Sequence, residues 1–444
     1  MTLLSLLAAP VAVTCAQSFD ASTVHLLQRI HDQPNDLARY VYLLQVTPSL
    51  RPSDHALAAQ FRSFAQCELG MYTQAVVGFP LTARLPDDFS APTASAWRGA
   101  PAVDAIADLA RSRRLVVINE AHHNAHTRRL TLALLPRLRA LGFNYFAAEA
   151  LLRTDTELGH RGYPVQSSGT EYLGEPLYGD IVRTALQLGF HVVAYDEGNA
   201  GQAREDAQAR NLYQVVFAHD PGARLFVHAG YAHIDKVPDR LGSIEPMVMR
   251  LQKLSGIQAL SIDQTDIVES DWNPDDAWHR LAAAFPSAQP QVLLRRDGGM
   301  PWSARPAAYD ISVLLPPGLS MAAFGDLHAY GGEMGSKLKS LETTIRSPLA
   351  AKSGNFMQRP TWLTLDGVRR ALPISVTLCR GTVPCVVEAR YAAETDDAIT
   401  ADRYAFINDH AASTLYLRPG SYRLRASDVR GRTLSTQTVT IAGN

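Results

Sequence analysis

The chain has 444 residues, 46% of them hydrophobic and 19% charged, the proportions of an ordinary globular protein, which excludes wholesale disorder and a collagen-like repeat. Forty-two Lys and Arg against 43 Asp and Glu leave a formal charge of −1, without the basic footprint that supplies nucleic-acid affinity. At roughly 150 residues per domain, the length sets a prior of about three domains.

At the N-terminus, Leu3 to Val13 form an eleven-residue apolar run, too short to span a bilayer as a helix. It leads into Thr14-Cys15-Ala16 before Gln17, a small-x-small cleavage pattern. Residues 1–16 therefore read as the signal peptide of an exported protein, periplasmic or secreted. No Lys or Arg precedes the run, and Thr14 is bulky for the position before a lipidated Cys15. No later segment is long and apolar enough for a membrane span.

Residues 17–90 read as a helical segment, with apolar residues at helical spacing over 24–30, 40–44 and 56–64. Gly70, Tyr72, Ala75 and Phe79 resemble half of one tetratricopeptide repeat, too little to make an array. Cys67 inside this pattern reads as a buried thiol. From 100 to 265, helices alternate with the short apolar strands RLVVIN, NYFAAEA, HVVAYDE, RLFVHAG and GIQALSIDQT. Gly142 and Gly189 fall where helix C-caps belong. This alternation predicts an α/β fold over about 91–350, a mainly parallel sheet in a three-layer α/β/α arrangement. VLLRR and YDISVLLP are its candidate outer strands. Residues 365–444 change to short alternating strands, a small β-sandwich in which Pro419-Gly420 marks a hairpin. Cys379 and Cys385, with Gly381 and Pro384 between them, suit a small disulfide-closed loop.

Chemistry concentrates at the strand ends. In Asn119-Glu120-Ala121-His122-His123-Asn124-Ala125-His126, three of the fourteen histidines fall within five positions. A helix beginning near 122 would put His122 and His126 on one face at i, i+4, a spacing suited to a metal. The next strands close on Glu149, on Asp196-Glu197, and on His228 followed by His233, so carboxylates and imidazoles gather toward one sheet rim. Such groups can exchange protons or hold a metal. The long segment GYPVQSSGTEYLGEPLYGD has the composition of a loop that covers a pocket, or equally of a structural wrap. No Gly-x-Ser-x-Gly elbow, Walker A pattern or dinucleotide-binding Gly-x-Gly-x-x-Gly occurs.

Glu120-x-His122-His123, Glu149, Tyr195-Asp196-Glu197, Arg204-Glu205 with Asn211, and Gly230-x-x-His233 occur in that order. This set resembles the superfamily joining erythromycin esterase-like proteins, ChaN-type haem-binding lipoproteins and the Tiki metalloproteases, over about 112–265 and more weakly to 320. The esterase pattern implies His123 as a general base assisted by Glu120. The Tiki pattern implies His122 and His233 as ligands of a divalent metal ion, to which His126 adds a third imidazole. Arg204 is implied as a partner for site carboxylates, and Asn119 replaces the glycine of both patterns. The resemblance implies a hydrolase that cleaves an ester or amide in a small-molecule or peptide substrate, with Glu120, His123, Glu149, Glu197, Arg204 and His233 as its catalytic set. The ChaN-like alternative is a haem- or metal-binding envelope protein without turnover, and a third reading is a scaffold that has lost catalysis. The helical segment and the β-module are candidate surfaces for a protein partner.

Overall fold

The computed structural model describes residues 20–271, 273–319, 359–407 and 412–443. The expected signal peptide, Cys15 and the expected domain end at 350 lie outside them. The described residues divide into two compact units, one drawn from 82–317 and 397–399, the other from 20–81, 318–319, 359–396, 400–407 and 412–443.

Among the described residues four helices come first: α1 (Ala21–His31), α2 (Asp36–Val46), α3 (Pro52–Glu68) and α4 (Tyr72–Val77). Asp20 caps α1 by accepting from the Ser22 and Thr23 amides, and Asn35 caps α2 by accepting from Ala38. Pro52 opens α3 at its first position, where no amide is needed.

The α/β unit is built on eight strands: β1 (Trp97–Pro101), β2 (Leu115–Glu120), β3 (Tyr145–Ala148), β4 (His191–Ala194), β5 (Leu225–Gly230), β6 (Ala259–Asp263), β7 (Gln291–Arg295) and β8 (Ile311–Leu314). Their order is β1-β7-β8-β6-β2-β5-β3-β4. All pairings from β8 to β4 are parallel, and β7 runs antiparallel to both β8 and β1. The strands expected from the sequence form within a few residues of their expected bounds. Edge strand β1 is the addition, and Gly99 and Pro101 hide it from strand propensity.

Among the described residues seven helices accompany the sheet: α5 (Ala102–Ala110), α6 (Arg128–Ala140), α7 (Leu158–Arg161), α8 (Pro176–Gln187), α9 (Gly201–Leu212), α10 (Met247–Ser255) and α11 (Ala277–Ala284). Leu212, Met247, Leu251, Trp278 and Leu281 pack with Leu115, Val117, Leu225 and Val227 on one face. The other face takes α6 and α8, whose Thr131 and Tyr178 meet His228. Gly142 and Gly189 follow α6 and α8 with φ of 87° and 76°, the left-handed conformation that ends a helix without a Cβ clash. The helix expected near residue 122 starts instead at Arg128. Asn124 donates its amide to the Ala121 carbonyl at 2.7 Å, and its side chain caps a short 3₁₀ turn over Ala125–Thr127. His122 and His126 therefore do not share a helical face.

The last strands are β9 (Arg370–Ser375), β10 (Cys385–Tyr391), β11 (Asp402–Phe406), β12 (Ala412–Leu417), β13 (Gly420–Asp428) and β14 (Thr433–Ile441). They form an antiparallel four-stranded sheet, β11-β10-β13-β14, and a β12-β9 pair. Ile374, Leu415 and Leu417 of the pair share a core with Val387, Tyr404, Tyr422 and Leu424 of the larger sheet, which makes the sandwich. Pro419-Gly420 joins β12 to β13 across the two sheets, so the expected hairpin is a corner. Cys379 and Cys385 form a disulfide, and Cys67 is a buried thiol. The helices α1–α4 belong to this same unit. Leu37, Tyr40, Ala65, Leu69 and Met71 share a core with Val386 and Ala405, and Arg403 pairs with Asp36 at 2.7 Å. Gly70 is required here: a Cβ would stand 2.1 Å from the Arg403 carbonyl oxygen.

Candidate functional site

The parallel strands deliver their C-terminal ends to one rim, where open α/β sheets place ligands. Glu120 ends β2, Glu149 follows β3, Asp196 and Glu197 follow β4, and Gly230 ends β5. At this rim lies a cavity of about 270 Å³, lined on its polar side by Glu120, His122, Glu149, Asp196, Glu197 and Arg204. Thr170, Glu171, Tyr172 and Tyr178 close another wall, so the Gly-, Tyr- and Pro-rich loop covers a pocket as its composition suggests.

Glu120 and His122 form the centre. His122 Nδ1 hydrogen-bonds Glu120 Oε1, while Arg128 reaches Glu120 Oε2 at 3.0 Å. Burial opposes ionisation of Glu120, yet Arg128 and His122 overcome it and hold its pKa at about 2. The carboxylate therefore accepts, and Nδ1 carries the proton. Fully buried Arg128 also pairs with Glu175 at 2.9 Å, and Glu175 caps α8 through the Leu177 and Tyr178 amides. The Tyr172 ring stacks on His122 with centroids 3.9 Å apart. Gly230 makes room from below: a Cβ there would lie 2.6 Å from His122 Cε1 and 3.1 Å from Glu149 Oε2.

Glu149 is fixed on several sides. Its Oε2 accepts from the Gly230 amide, and its Oε1 meets Arg204 at 2.7 Å and His233 Nε2 at 3.4 Å. Burial raises its pKa, but His233 and Arg204 outweigh this and keep it well below the carboxylate range. His233 Nδ1 lies 2.8 Å from Glu205. Burial opposes its charge, yet Glu205 and Glu149 lift its pKa to about 10, so it is an imidazolium. Arg204 also grips Asp196 with two bonds, at 3.1 and 2.6 Å.

The remaining expected residues are placed differently. His123 does not line the cavity. Its Nδ1 lies 3.0 Å from the Tyr231 hydroxyl, and burial lowers its pKa to about 3. The Tyr231 ring is nearly perpendicular to His122 and nearly parallel to His123, with centroids 5.0 and 6.5 Å away. His126 is buried, and that burial together with Arg129 also lowers its pKa to about 3. His228 lies under the sheet rim with Nδ1 3.0 Å from Thr131, lowered to about 4 by burial. Glu197 reaches the cavity but is 39% exposed, paired with half-exposed Arg153 and held at 2.9 Å by Asn211. Asn119 points away from the cavity. Its Nδ2 donates to the Tyr231 carbonyl and Asp263 at 2.8 and 2.6 Å, and its Oδ1 accepts from Gln264 at 2.7 Å. It thereby braces Tyr231, whose φ of 41° is strained for a bulky residue.

As arranged, these donors suit ion pairs better than a metal. Nδ1 of His122 is engaged by Glu120, both nitrogens of His233 face carboxylates, and a protonated imidazole offers no lone pair to a cation. Among the described residues no group of three or more His, Cys, Asp or Glu is placed to hold a metal ion. Sequence reasoning missed Arg128, Glu175, Tyr172 and Tyr178. A readable signal existed for Glu175, an acidic residue before Pro176 at a helix start.

No protein-family model matches the chain, and no curated protein does. Solved structures resemble it weakly. A crystal structure of bacterial protein toxins is 19% identical over 40% of this chain and 39% of its own, with a TM-score of 0.29. A second structure of bacterial protein toxins is 15% identical over 56% and 47%, with a TM-score of 0.28. RRSP, a MARTX toxin effector domain from Vibrio vulnificus CMCP6, is 15% identical over 47% and 44%, also at 0.28. The chain spans less than half the length of each. A likeness this weak carries no functional argument.

Proposed function

We propose that this protein is an exported hydrolase of the erythromycin esterase-like type, cleaving an ester or amide with water activated by the Glu120–His122 pair. The observation that carries the reading is that pair itself, opening on a cavity at the strand ends. Glu120 keeps the proton on Nδ1 and leaves Nε2 as the basic nitrogen, the division of labour that a carboxylate imposes on a catalytic histidine. Water attacks the carbonyl carbon as its proton passes to His122. The imidazolium then returns that proton to the departing alkoxide or amine. Tyr178 lines the cavity and its hydroxyl accepts from the Ala150 amide at 3.2 Å; burial and Glu120 raise its pKa, so it stays protonated and can donate to the developing oxyanion. Glu149, held by Arg204, His233 and the Gly230 amide, is a fixed charge that orients water. His233 is a positioning residue in this scheme, and no step passes through a metal.

A panel of small esters and amides, assayed with and without chelator, tests the reading. Turnover that survives chelation and falls at least a hundredfold in His122→Ala is expected. A Soret shift with added haem and no turnover of any substrate would instead support the haem-binding alternative.

A further inference from the structure

The cavity lining is lopsided in charge. Five carboxylates, Glu120, Glu149, Glu171, Asp196 and Glu197, face one guanidinium, that of Arg204. Four of the five have cationic partners: Glu120 has Arg128, Glu149 and Asp196 share Arg204, and Glu197 has Arg153. The half-buried Glu171 side chain has no ion pair or hydrogen bond among the described residues. Arg204, meanwhile, is fully committed, with two bonds to Asp196 and one to Glu149. An anionic ligand entering here would find no available cation and one uncompensated carboxylate. A cationic ligand would find its counter-ion waiting.

Glu171 lines the same cavity as His122. Its neighbour Tyr172 lies flat on His122 at 3.9 Å, and consecutive Cα atoms are about 3.8 Å apart. Glu171 and His122 line one cavity of about 270 Å³, so a small ligand there can meet the carboxylate and the imidazole together. Ala150 and Leu152 give the same cavity an apolar side, and Leu152 is 39% exposed. At about 270 Å³ the space admits a small group, near the lower end of ligand-binding pockets.

We infer that Glu171 sets the specificity of this cavity, which takes esters or amides carrying a cationic amine or quaternary ammonium a few bonds from the scissile carbonyl. The cleavage belongs to the hydrolase reading above, whereas the preference for a cation rests on the cavity alone. Glu171 attracts the cation through solvent-screened charge, so the preference weakens as salt rises.

The test compares three thioesters of one shape on the full chain: acetylthiocholine, its neutral tert-butyl isostere and a carboxylate analogue. The expected kcat/KM is at least tenfold higher for the cation than for the neutral isostere, and lowest for the anion. In Glu171→Gln the cation-to-neutral ratio falls to near one. Equal or reversed rates among the three in the wild type, with turnover intact, overturn the inference and leave the hydrolase reading standing. If none is hydrolysed, the ester and amide panel decides that reading, and calorimetric titration with choline decides the inference separately. Choline binding weakened about tenfold by Glu171→Gln supports it, and absence of choline binding overturns it.

Discussion

Substituting Gly230 by Ala tests how closely the site is packed around its imidazole. The new Cβ would stand 2.6 Å from His122 Cε1, 2.9 Å from His122 Nε2 and 3.1 Å from Glu149 Oε2. Carbon atoms settle at about 3.5 Å or more, so the ring must retreat by about 0.9 Å. It has little room to do so, because Tyr172 covers one face at 3.9 Å and Glu120 tethers Nδ1. Overpacking of this kind costs about 1–3 kcal/mol, and misplacing a reacting group by about 1 Å costs roughly a hundredfold in rate. The expected result is a melting temperature lowered by a few degrees and kcat/KM lowered by about a hundredfold on whichever ester the wild type cleaves best. Gly159→Ala is the control, since a Cβ there meets nothing within 4 Å. Turnover of Gly230→Ala within twofold of wild type would refute the packing argument.

Three further predictions concern stability. Burial lowers the pKa of His123 to about 3, of His126 to about 3 and of His228 to about 4, below the unfolded value near 6.5. Stability is then present above pH 6.5 and lost as pH falls toward 4, at about 1.4 kcal/mol per pH unit for each histidine. Melting curves should fall steeply from pH 6.5 to 4.5 and less steeply in His228→Asn; a flat profile would contradict this. His233 has the opposite sign. Its pKa is raised to about 10, so its contribution is complete below pH 6.5 and disappears as pH rises through 10. Wild-type melting temperature should decline between pH 7 and 10, and His233→Gln, lower at pH 7, should lose this dependence; parallel slopes would exclude the ion pair as its source. Asn119→Gly removes the bonds to the Tyr231 carbonyl, Asp263 and Gln264. A loss of about 2 kcal/mol or more in denaturant unfolding is expected, without a gain in turnover.

Much of the frame was legible because parallel strands read as continuous apolar runs, and their polar ends fall at one rim whatever the connecting loops do. Which side chain faces the cavity was not legible. His122 and His123 are adjacent in sequence, but His122 lines the cavity while His123 bonds Tyr231, more than a hundred residues away. Asp196 and Glu197 exchange expected prominence for the same reason: the first is locked to buried Arg204, the second to Arg153 at the surface. The run of histidines looks helical, but the side chain of Asn124 and the hydroxyl of Thr127 bond to the backbone locally and hold a turn until Arg128. The union of α1–α4 with the β-sandwich was equally hidden. Its core joins Leu37 and Tyr40 to Val386 and Ala405, a contact between segments that no local periodicity can reveal.

The central claim is that the Glu120–His122 pair, and not His123, activates water. Steady-state hydrolysis of the best ester by wild type, His122→Ala and His123→Ala, each verified as folded by its melting curve, tests it most directly. General-base catalysis contributes about 10²–10⁴-fold, so His122→Ala should lose that much while His123→Ala stays within tenfold of wild type. Loss of turnover confined to His123→Ala, or unchanged rates in both variants, would contradict the account.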